Sequence, residues 1–143
     1  MKVIGAVPKV DGPTDVYREG FSISSTVVSP QAAALPFNFI LDDVSYGLSG
    51  RAFTPTHTSV CMDIAIHAVI NPGAAFGPFR VTIYKGSTAG SGVSVPRDGD
   101  ARSYCWSGIT AGADYHFTYG FGSGGGSGGV YEYVDGNGTV GNP

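Results

Sequence analysis

The chain is short of charge. Charged residues make up 13% of its 143 residues, and the formal net charge is −3. Soluble domains usually carry roughly 25% charged residues. The eight Lys and Arg residues are scattered singly, whereas nucleic-acid binding needs a basic patch that neutralises phosphates. The sequence therefore argues against a nucleic-acid partner, and low charge with many Gly, Ser, Thr and aromatic residues is typical of secreted and surface-assembled β proteins.

Long apolar runs are missing as well. No apolar stretch approaches the length of about 18 residues that a transmembrane helix needs, so we expect no membrane span. The apolar stretch near Met1 is interrupted by Gly5 and Pro8 and is too short for a signal peptide. Two alternatives follow: a signal peptide removed ahead of this sequence, which we favour, or a protein assembled inside a cell, as a virion component would be.

Cysteine is limited to Cys61 and Cys105. Two cysteines are the minimum for one disulfide, which would close a loop of about 45 residues and stabilise the fold by roughly 4 kcal/mol. Two free thiols are the alternative. Cys61 lies opposite the apolar row of its predicted strand, and Cys105 lies opposite Tyr104 and Trp106. This parity places a bridge away from the aliphatic core, near an outer face or a sheet end.

Helical periodicity over three turns is absent, and period-two alternation dominates instead. From Val60 to Ile70 the apolar residues occupy even positions, which is the pattern of a strand with one buried face. The same alternation predicts further strands over Phe37–Leu41, Phe79–Tyr84, Tyr115–Phe121 and Val130–Val134, and a weaker one over Phe21–Val28.

Turn-forming residues separate these strands. Asp98-Gly99, Asp135-Gly136 and Asn137-Gly138 are typical hairpin dipeptides. Lys85–Gly92 reads as a Gly/Ser-rich connection, and Gly122–Gly129 predicts a flexible loop. Short strands with frequent turn signals predict an all-β fold, namely an antiparallel β-sandwich of the jelly-roll or immunoglobulin-like kind with one intradomain disulfide.

Residues 1–20 lack a clear pattern, and we predict an extended N-terminal arm ahead of a sandwich domain over residues 21–143. An extended arm offers backbone donors and acceptors that can add a strand to the sheet of a partner. The apolar residues expected to contact that partner are Val3, Ile4, Val7, Val10, Val16 and Tyr17.

Catalytic and metal-binding patterns are weak. His57, His67 and His116 are each more typical of surface or satisfied positions than of a general base. The glycine-flanked Ser127 lies in a glycine run without the following helix that a nucleophile elbow requires. Asp98-Gly99-Asp100 reads as a turn and not as a calcium loop. We therefore expect no enzyme activity, no metal and no cofactor.

Carbohydrate binding is an alternative that the aromatic content keeps open, since aromatic residues make up 12% of the chain. Aromatic side chains stack on sugar rings, although strands of a sandwich use the same residues in the core. The candidates for ligand stacking are Tyr104, Trp106, Tyr131 and Tyr133.

A set of structural motifs supports a family resemblance. It comprises Cys61 in a strand, the segment Phe79–Lys85, Tyr104-Cys105-Trp106, the aromatic run Tyr115–Tyr119 and the closing Gly136–Val140. From Cys61 to Val140 the chain resembles small secreted actinobacterial β-sandwich proteins with two cysteines. The resemblance implies an exported interaction module, of which the adaptor subunits of antibacterial toxin particles are an example, and it implies no catalytic residue.

The sequence thus predicts a non-enzymatic extracellular adaptor or structural subunit that assembles with a protein partner or with itself. A viral capsid decoration or fibre protein, located in the virion, is the first alternative. A carbohydrate-binding module with a glycan ligand is the second.

Overall fold

The computed structural model describes residues 7–19 and 34–143, which form an all-β sandwich. The strand predicted over Phe21–Val28 lies outside the described residues. A short 3₁₀ helix covers Gly122–Gly124. The strands are β1 (Thr14–Arg18), β2 (Phe37–Val44), β3 (Leu48–Ser49), β4 (Ser59–Ile70), β5 (Arg80–Lys85), β6 (Thr88–Ser94), β7 (Arg102–Ser107), β8 (His116–Gly120), β9 (Gly126–Ser127), β10 (Val130–Tyr131) and β11 (Tyr133–Gly141).

Two sheets make up the sandwich. The larger sheet has five strands in the order β1-β2-β11-β4-β7, and the smaller has four in the order β3-β8-β5-β6. Strands β9 and β10 form a separate hairpin. All neighbours pair antiparallel except β1 and β2, which are parallel. The predicted sandwich is therefore confirmed, with one parallel pair at the edge of the larger sheet.

The core lies between the two sheets and is rich in aromatic side chains. Phe39 of β2 contacts Tyr119 of β8 with ring centroids 5.1 Å apart, and Trp106 of β7 contacts Phe117 of β8 at 4.7 Å. Strand β4 alternates as predicted over most of its length, because Val60, Met62, Ile64 and Ile66 are buried, whereas Ile70 at its end is exposed. Alternation puts one face of each strand inside, so the sequence pattern alone located this core.

The disulfide between Cys61 and Cys105 is present, which confirms the predicted pair. The two residues lie directly opposite each other in the β4–β7 register, with Cα atoms 4.1 Å apart. Cys61 is half-buried and Cys105 is exposed. The bridge thus lies on the outer face of the larger sheet, as the face parity predicts.

The hairpins predicted at Asp135-Gly136 and Asn137-Gly138 are wrong. Both dipeptides lie within β11, the central strand of the larger sheet, which pairs with β2 on one side and β4 on the other. A Cβ atom on Gly138 would lie 2.2 Å from Cζ of Phe39 and 2.5 Å from the carbonyl oxygen of Asp63. The glycine is there because a core ring and a neighbouring strand occupy the space of a side chain.

The Gly/Ser-rich connection predicted over Lys85–Gly92 is instead mostly strand β6, which pairs with β5 through a tight turn at Gly86-Ser87. A Cβ atom on Gly92 would lie 2.5 Å from Oγ1 of Thr82 on β5. Of the three glycines that suggest a connection, Gly86 lies in the turn, whereas Gly90 and Gly92 lie in β6 beside side chains of β5.

The described part of the predicted arm lies against the chain's own sheet. Strand β1 pairs with β2, and Tyr17 is fully buried in the core. The Tyr17 hydroxyl donates to the buried Asp15 carboxylate at 3.2 Å and accepts from the backbone N–H of Arg51 at 2.8 Å. Burial raises the pKa of Tyr17, so its hydroxyl stays protonated. The sandwich, predicted to begin at residue 21, therefore includes Thr14–Arg18.

Residues 7–10 then cross the outer face of the larger sheet, held by side-chain amides. The Asn38 amide accepts from the Val10 N–H at 3.1 Å and donates to the Val10 carbonyl at 3.0 Å. Asn137 accepts from the Val7 N–H at 2.9 Å. Thr139 donates to the same Asn38 oxygen at 2.9 Å. An asparagine side chain thus substitutes for the backbone of a neighbouring strand.

We expect Asn38→Ala to loosen this segment and to lower the free energy of unfolding by about 1–2 kcal/mol, because a buried amide with several partners is removed. Hydrogen exchange should accelerate at the amide of Val10. Ser94→Ala, on an exposed strand of the other sheet, is the control. Unchanged protection of Val10 in Asn38→Ala would contradict the role given to this amide.

Candidate functional site

Exposed apolar side chains gather at one end of the sandwich. The described residues include eight large hydrophobic side chains that are exposed, and five of them belong to this end. Phe76 is the most exposed of the eight, at 70%. We call this surface the end patch; it consists of Val69, Ile70, Phe76, Val130 and Tyr131.

Three segments of the chain build the end patch: the end of β4, the loop between β4 and β5, and the β9–β10 hairpin. Ile70 is paired with Tyr133, at the start of β11. The Asn71 side chain donates to the carbonyl of Tyr131 at 3.0 Å. The backbone N–H of Phe76 donates to the carbonyl of Gly124 at 2.9 Å. These bonds bring segments far apart in the sequence to the same end of the sandwich.

A buried carboxylate holds the loop that carries Phe76. Glu132 is fully buried, and its Oε1 atom accepts from the backbone N–H groups of Gly73 at 2.8 Å and Ala75 at 3.1 Å. Its Oε2 atom lies 2.5 Å from Nε of Arg97. The Arg97 guanidinium also lies 5.0 Å from the ring centroid of Phe121. The carboxylate is therefore paired with a cation and satisfied by the backbone, as a buried charge requires.

The centre of the glycine run beside the end patch is packed against neighbouring backbone, whereas a flexible loop was predicted over the whole of Gly122–Gly129. Gly124, Gly125 and Gly126 are buried. A Cβ atom on Gly124 would lie 3.0 Å from Cα of Gly77, and one on Gly126 would lie 2.0 Å from the carbonyl oxygen of Val130. Backbone packs on backbone here, which only glycine permits.

The four side chains predicted to stack on a ligand have different positions. Tyr131 is exposed and belongs to the end patch. Tyr104 and Tyr133 are half-buried. Trp106 is only 4% exposed, and its indole N–H donates to the carbonyl of Ser91 at 3.1 Å. Trp106 is therefore a core residue, unavailable to a ligand, because its strand directs it between the sheets.

The residues predicted to form the partner-binding arm are also divided. Val3 and Ile4 lie outside the described residues. Val7 and Tyr17 are buried within this chain, so neither offers a side chain to a partner. Val10 and Val16 are exposed. The alternation along β1 explains the difference between the neighbours Val16 and Tyr17, because they face opposite sides of the sheet.

The histidines have local partners. His57 contacts the hydroxyl of Thr56 at 3.1 Å, and the backbone of His67 forms an isolated antiparallel β-bridge with the backbone of Asp98. His116 stacks on Tyr84 with ring centroids 5.3 Å apart. Burial lowers the pKa of His116, so its ring is neutral at pH 7.

Three carboxylates could hold a metal ion in the described part of the chain, namely Asp42, Asp43 and Asp135, whose oxygens lie within 4.8 Å of one another. Asp42 already forms an ion pair with Arg18, and Asp135 accepts from the backbone N–H of Asp43 at 2.8 Å. Desolvation, followed by the charges of Asp135 and Asp42, raises the pKa of Asp43. These contacts account for the carboxylates as parts of a tight turn, so we assign no metal to them.

The fold and the end patch define a disulfide-bonded β-sandwich domain with a preformed apolar surface. No known family model matches the chain. No curated protein sequence matches it either. Over residues 7–19 and 34–143, no helix has the length and apolar character needed to cross a membrane.

Proposed function

We propose that this domain is a non-enzymatic binding module that assembles with a protein partner through the end patch. The observation that carries the proposal is that five large apolar side chains are exposed at the same end of the sandwich. Exposed hydrophobic residues scattered singly need no explanation, but a cluster marks an interaction site. Phe76 and Tyr131 supply large aromatic contacts, a type of residue enriched at the centre of protein interfaces.

The rigidity of the end patch supports binding further. Glu132 accepts hydrogen bonds from two backbone N–H groups of the loop that carries Phe76, and the N–H of Gly77 at the end of this loop donates to the carbonyl of Gly124. Ordering a loop on binding costs free energy, so a surface held in place before binding loses less. The loop that carries Phe76 is therefore held in place before a partner binds, which lowers the free-energy cost of binding.

An extracellular location is part of the same proposal. The disulfide lies on an outer face, with Cys105 exposed, where soluble reductants reach it. Such bridges persist in oxidising compartments and are rare in a reducing cytosol. The low share of charged residues fits an extracellular adaptor or structural subunit as well.

Photo-crosslinking tests the proposal directly. Phe76 is replaced by p-benzoylphenylalanine in cells that produce the protein naturally, and Thr88 on the exposed strand β6 serves as the control position. Position 76 is expected to crosslink to one defined protein, either a partner or a second copy, that position 88 does not reach. The proposal fails if both positions give the same adducts, or if position 76 gives none.

A matched pair of substitutions then measures the contribution of the end patch. Val130 is 51% exposed and Val16, on β1, is 45% exposed. With the crosslinked protein purified, Val130→Ser is expected to weaken binding about ten-fold, because an apolar contact is lost at the interface. Val16→Ser should bind as tightly as the wild type in the same calorimetric titration. Equal losses in the two variants would place the interface elsewhere.

A further inference from the structure

A second surface lies on the outer face of the four-stranded sheet. An open cleft of about 440 Å³ lies there, next to the β2–β3 turn. This volume falls within the range of small-ligand sites, roughly 300–1,000 Å³. Tyr46 and Ser49 line one side of the cleft, and Arg80, Thr82 and Tyr84 line the other.

Hydroxyl groups form the floor of the cleft. Ser49 is paired with Thr118, and Thr118 is paired with Thr82, so three hydroxyl side chains form one row across β3, β8 and β5. Thr82 is paired in turn with Gly92 on β6. A Cβ atom on Gly92 would lie 2.5 Å from the Thr82 hydroxyl. The missing side chain leaves room for the guanidinium of Arg80, whose Nη2 atom lies 3.1 Å from the same Cβ position.

Aromatic side chains lie at both ends of the cleft along the strand direction, one on either side of the hydroxyl row. At one end, Tyr84 stacks on His116 with an interplanar angle of 18°. At the other end, Tyr46 is 68% exposed. Its backbone lies against Gly120, where a Cβ atom would meet the Tyr46 carbonyl oxygen at 2.4 Å. Rings at the ends of a polar floor match the alternating apolar and hydroxyl-bearing surfaces of a sugar chain.

A cation, Arg80, lines the side of the cleft next to β6. Arg80 is exposed and donates to the Ser94 hydroxyl at 3.3 Å. The residues that line the cleft include no aspartate or glutamate. The guanidinium can therefore offer a bidentate donor pair to an anionic group of a ligand.

From this arrangement we infer that the sheet cleft binds an acidic oligosaccharide, with a carboxylate or sulfate group on Arg80 and sugar rings on Tyr46 and Tyr84. Arg80 and Tyr84 lie four residues apart on β5, so their Cα atoms are about 13 Å apart in an extended strand. That span suits two or three linked sugar units. The cleft shares no residue with the end patch, so this inference does not depend on the proposed protein partner.

Titration calorimetry of the full chain tests the inference with three trisaccharide-sized probes: trigalacturonate, a sulfated galactan oligosaccharide and neutral maltotriose. One of the two acidic probes is expected to bind at least ten-fold more tightly than maltotriose. Comparing the two acidic probes distinguishes a carboxylate from a sulfate as the recognised group. Absence of binding by both, or equal binding of maltotriose, would overturn the inference.

Substitutions of exposed residues locate the site without disturbing the fold. Arg80→Gln is expected to weaken binding of the acidic probe about ten-fold, since a charge-assisted hydrogen bond is lost. Tyr46→Ala should weaken it several-fold. Lys9→Gln removes the same charge from the other sheet and is expected to leave binding unchanged. If Lys9→Gln weakens binding as much as Arg80→Gln does, the attraction is a general effect of charge and the cleft is not the site.

Discussion

Replacing both Cys61 and Cys105 with alanine is expected to lower the free energy of unfolding by about 4 kcal/mol and the melting temperature by roughly 10 °C. The cysteines are 44 residues apart in the sequence. The bridge joins β4 to β7, which among the described residues is an edge strand that pairs with β4 alone. The unfolded chain gains the freedom of the open loop, and β7 loses its covalent link to β4.

A neighbouring pair on the same two strands provides the control. Ser59 lies opposite Ser107, two positions along the register from the disulfide. Ser59 is half-buried and Ser107 is exposed. The double variant Ser59→Ala, Ser107→Ala should change the free energy of unfolding by less than about 0.5 kcal/mol, as substitutions of surface residues outside the core usually do. Denaturant titrations of the two double variants and the wild type give the comparison. An unchanged midpoint for the cysteine variant would show that the bridge does not stabilise the fold.

The strands that carry the core could be predicted because each follows one rule. Alternating side chains on β4, β5 and β8 face inward and outward in turn, so the apolar row marks the core without knowledge of the neighbours. The same parity placed Cys61 and Cys105 on an outer face. The prediction depended on local geometry alone, and local geometry is preserved wherever a strand runs without a bulge.

The glycine-containing strands could not be predicted in the same way. Gly138 of β11 and Gly92 of β6 lack side chains because Phe39 and Thr82 occupy the space beside them. Such a requirement comes from a neighbouring strand that is distant in sequence. A glycine next to Asn or Ser occurs in turns and also in crowded strands, and the local sequence does not distinguish the two. Turns are the more common case, so the sequence pattern predicted turns at these positions.

The end patch was beyond prediction for a related reason. Phe76 belongs to a loop and Val130 to the short strand predicted over Val130–Val134, and only the tertiary hydrogen bonds bring the two segments together. Tyr131 was identified as a candidate binding residue from its type, whereas Trp106 was identified by the same reasoning and is buried. Residue type alone does not distinguish an aromatic side chain of the core from one of the surface.

Glu132 connects the stability of the fold with the end patch, and its replacement is the second large effect that we expect. Glu132→Ala removes the partner of Arg97 and leaves the backbone N–H groups of Gly73 and Ala75 without an acceptor. Breaking a buried ion pair by removing one partner costs about 3–5 kcal/mol. Denaturant titration should show a loss of this size.

The effect on the loop separates an anchoring role from a general loss of stability. In Glu132→Ala, hydrogen exchange should accelerate at Gly73 and Ala75 under conditions where the amides of β4 stay protected, because local opening does not require global unfolding. Glu132→Gln keeps an oxygen that can accept from both amides. It should therefore retain most of the protection of the loop while losing the charge interaction with Arg97.

The affinity of the end patch for its partner should depend on whether the Phe76 loop is anchored, and not on the free energy of unfolding of the whole domain. If Phe76 needs the anchored loop, Glu132→Ala weakens partner binding at a temperature where the variant remains folded, and Glu132→Gln weakens it much less. The cysteine double variant is the counterpart, because it loses a similar free energy of unfolding without any change at the end patch. If Glu132→Ala and the cysteine variant bind the partner equally tightly, Glu132 stabilises the fold but does not contribute to binding.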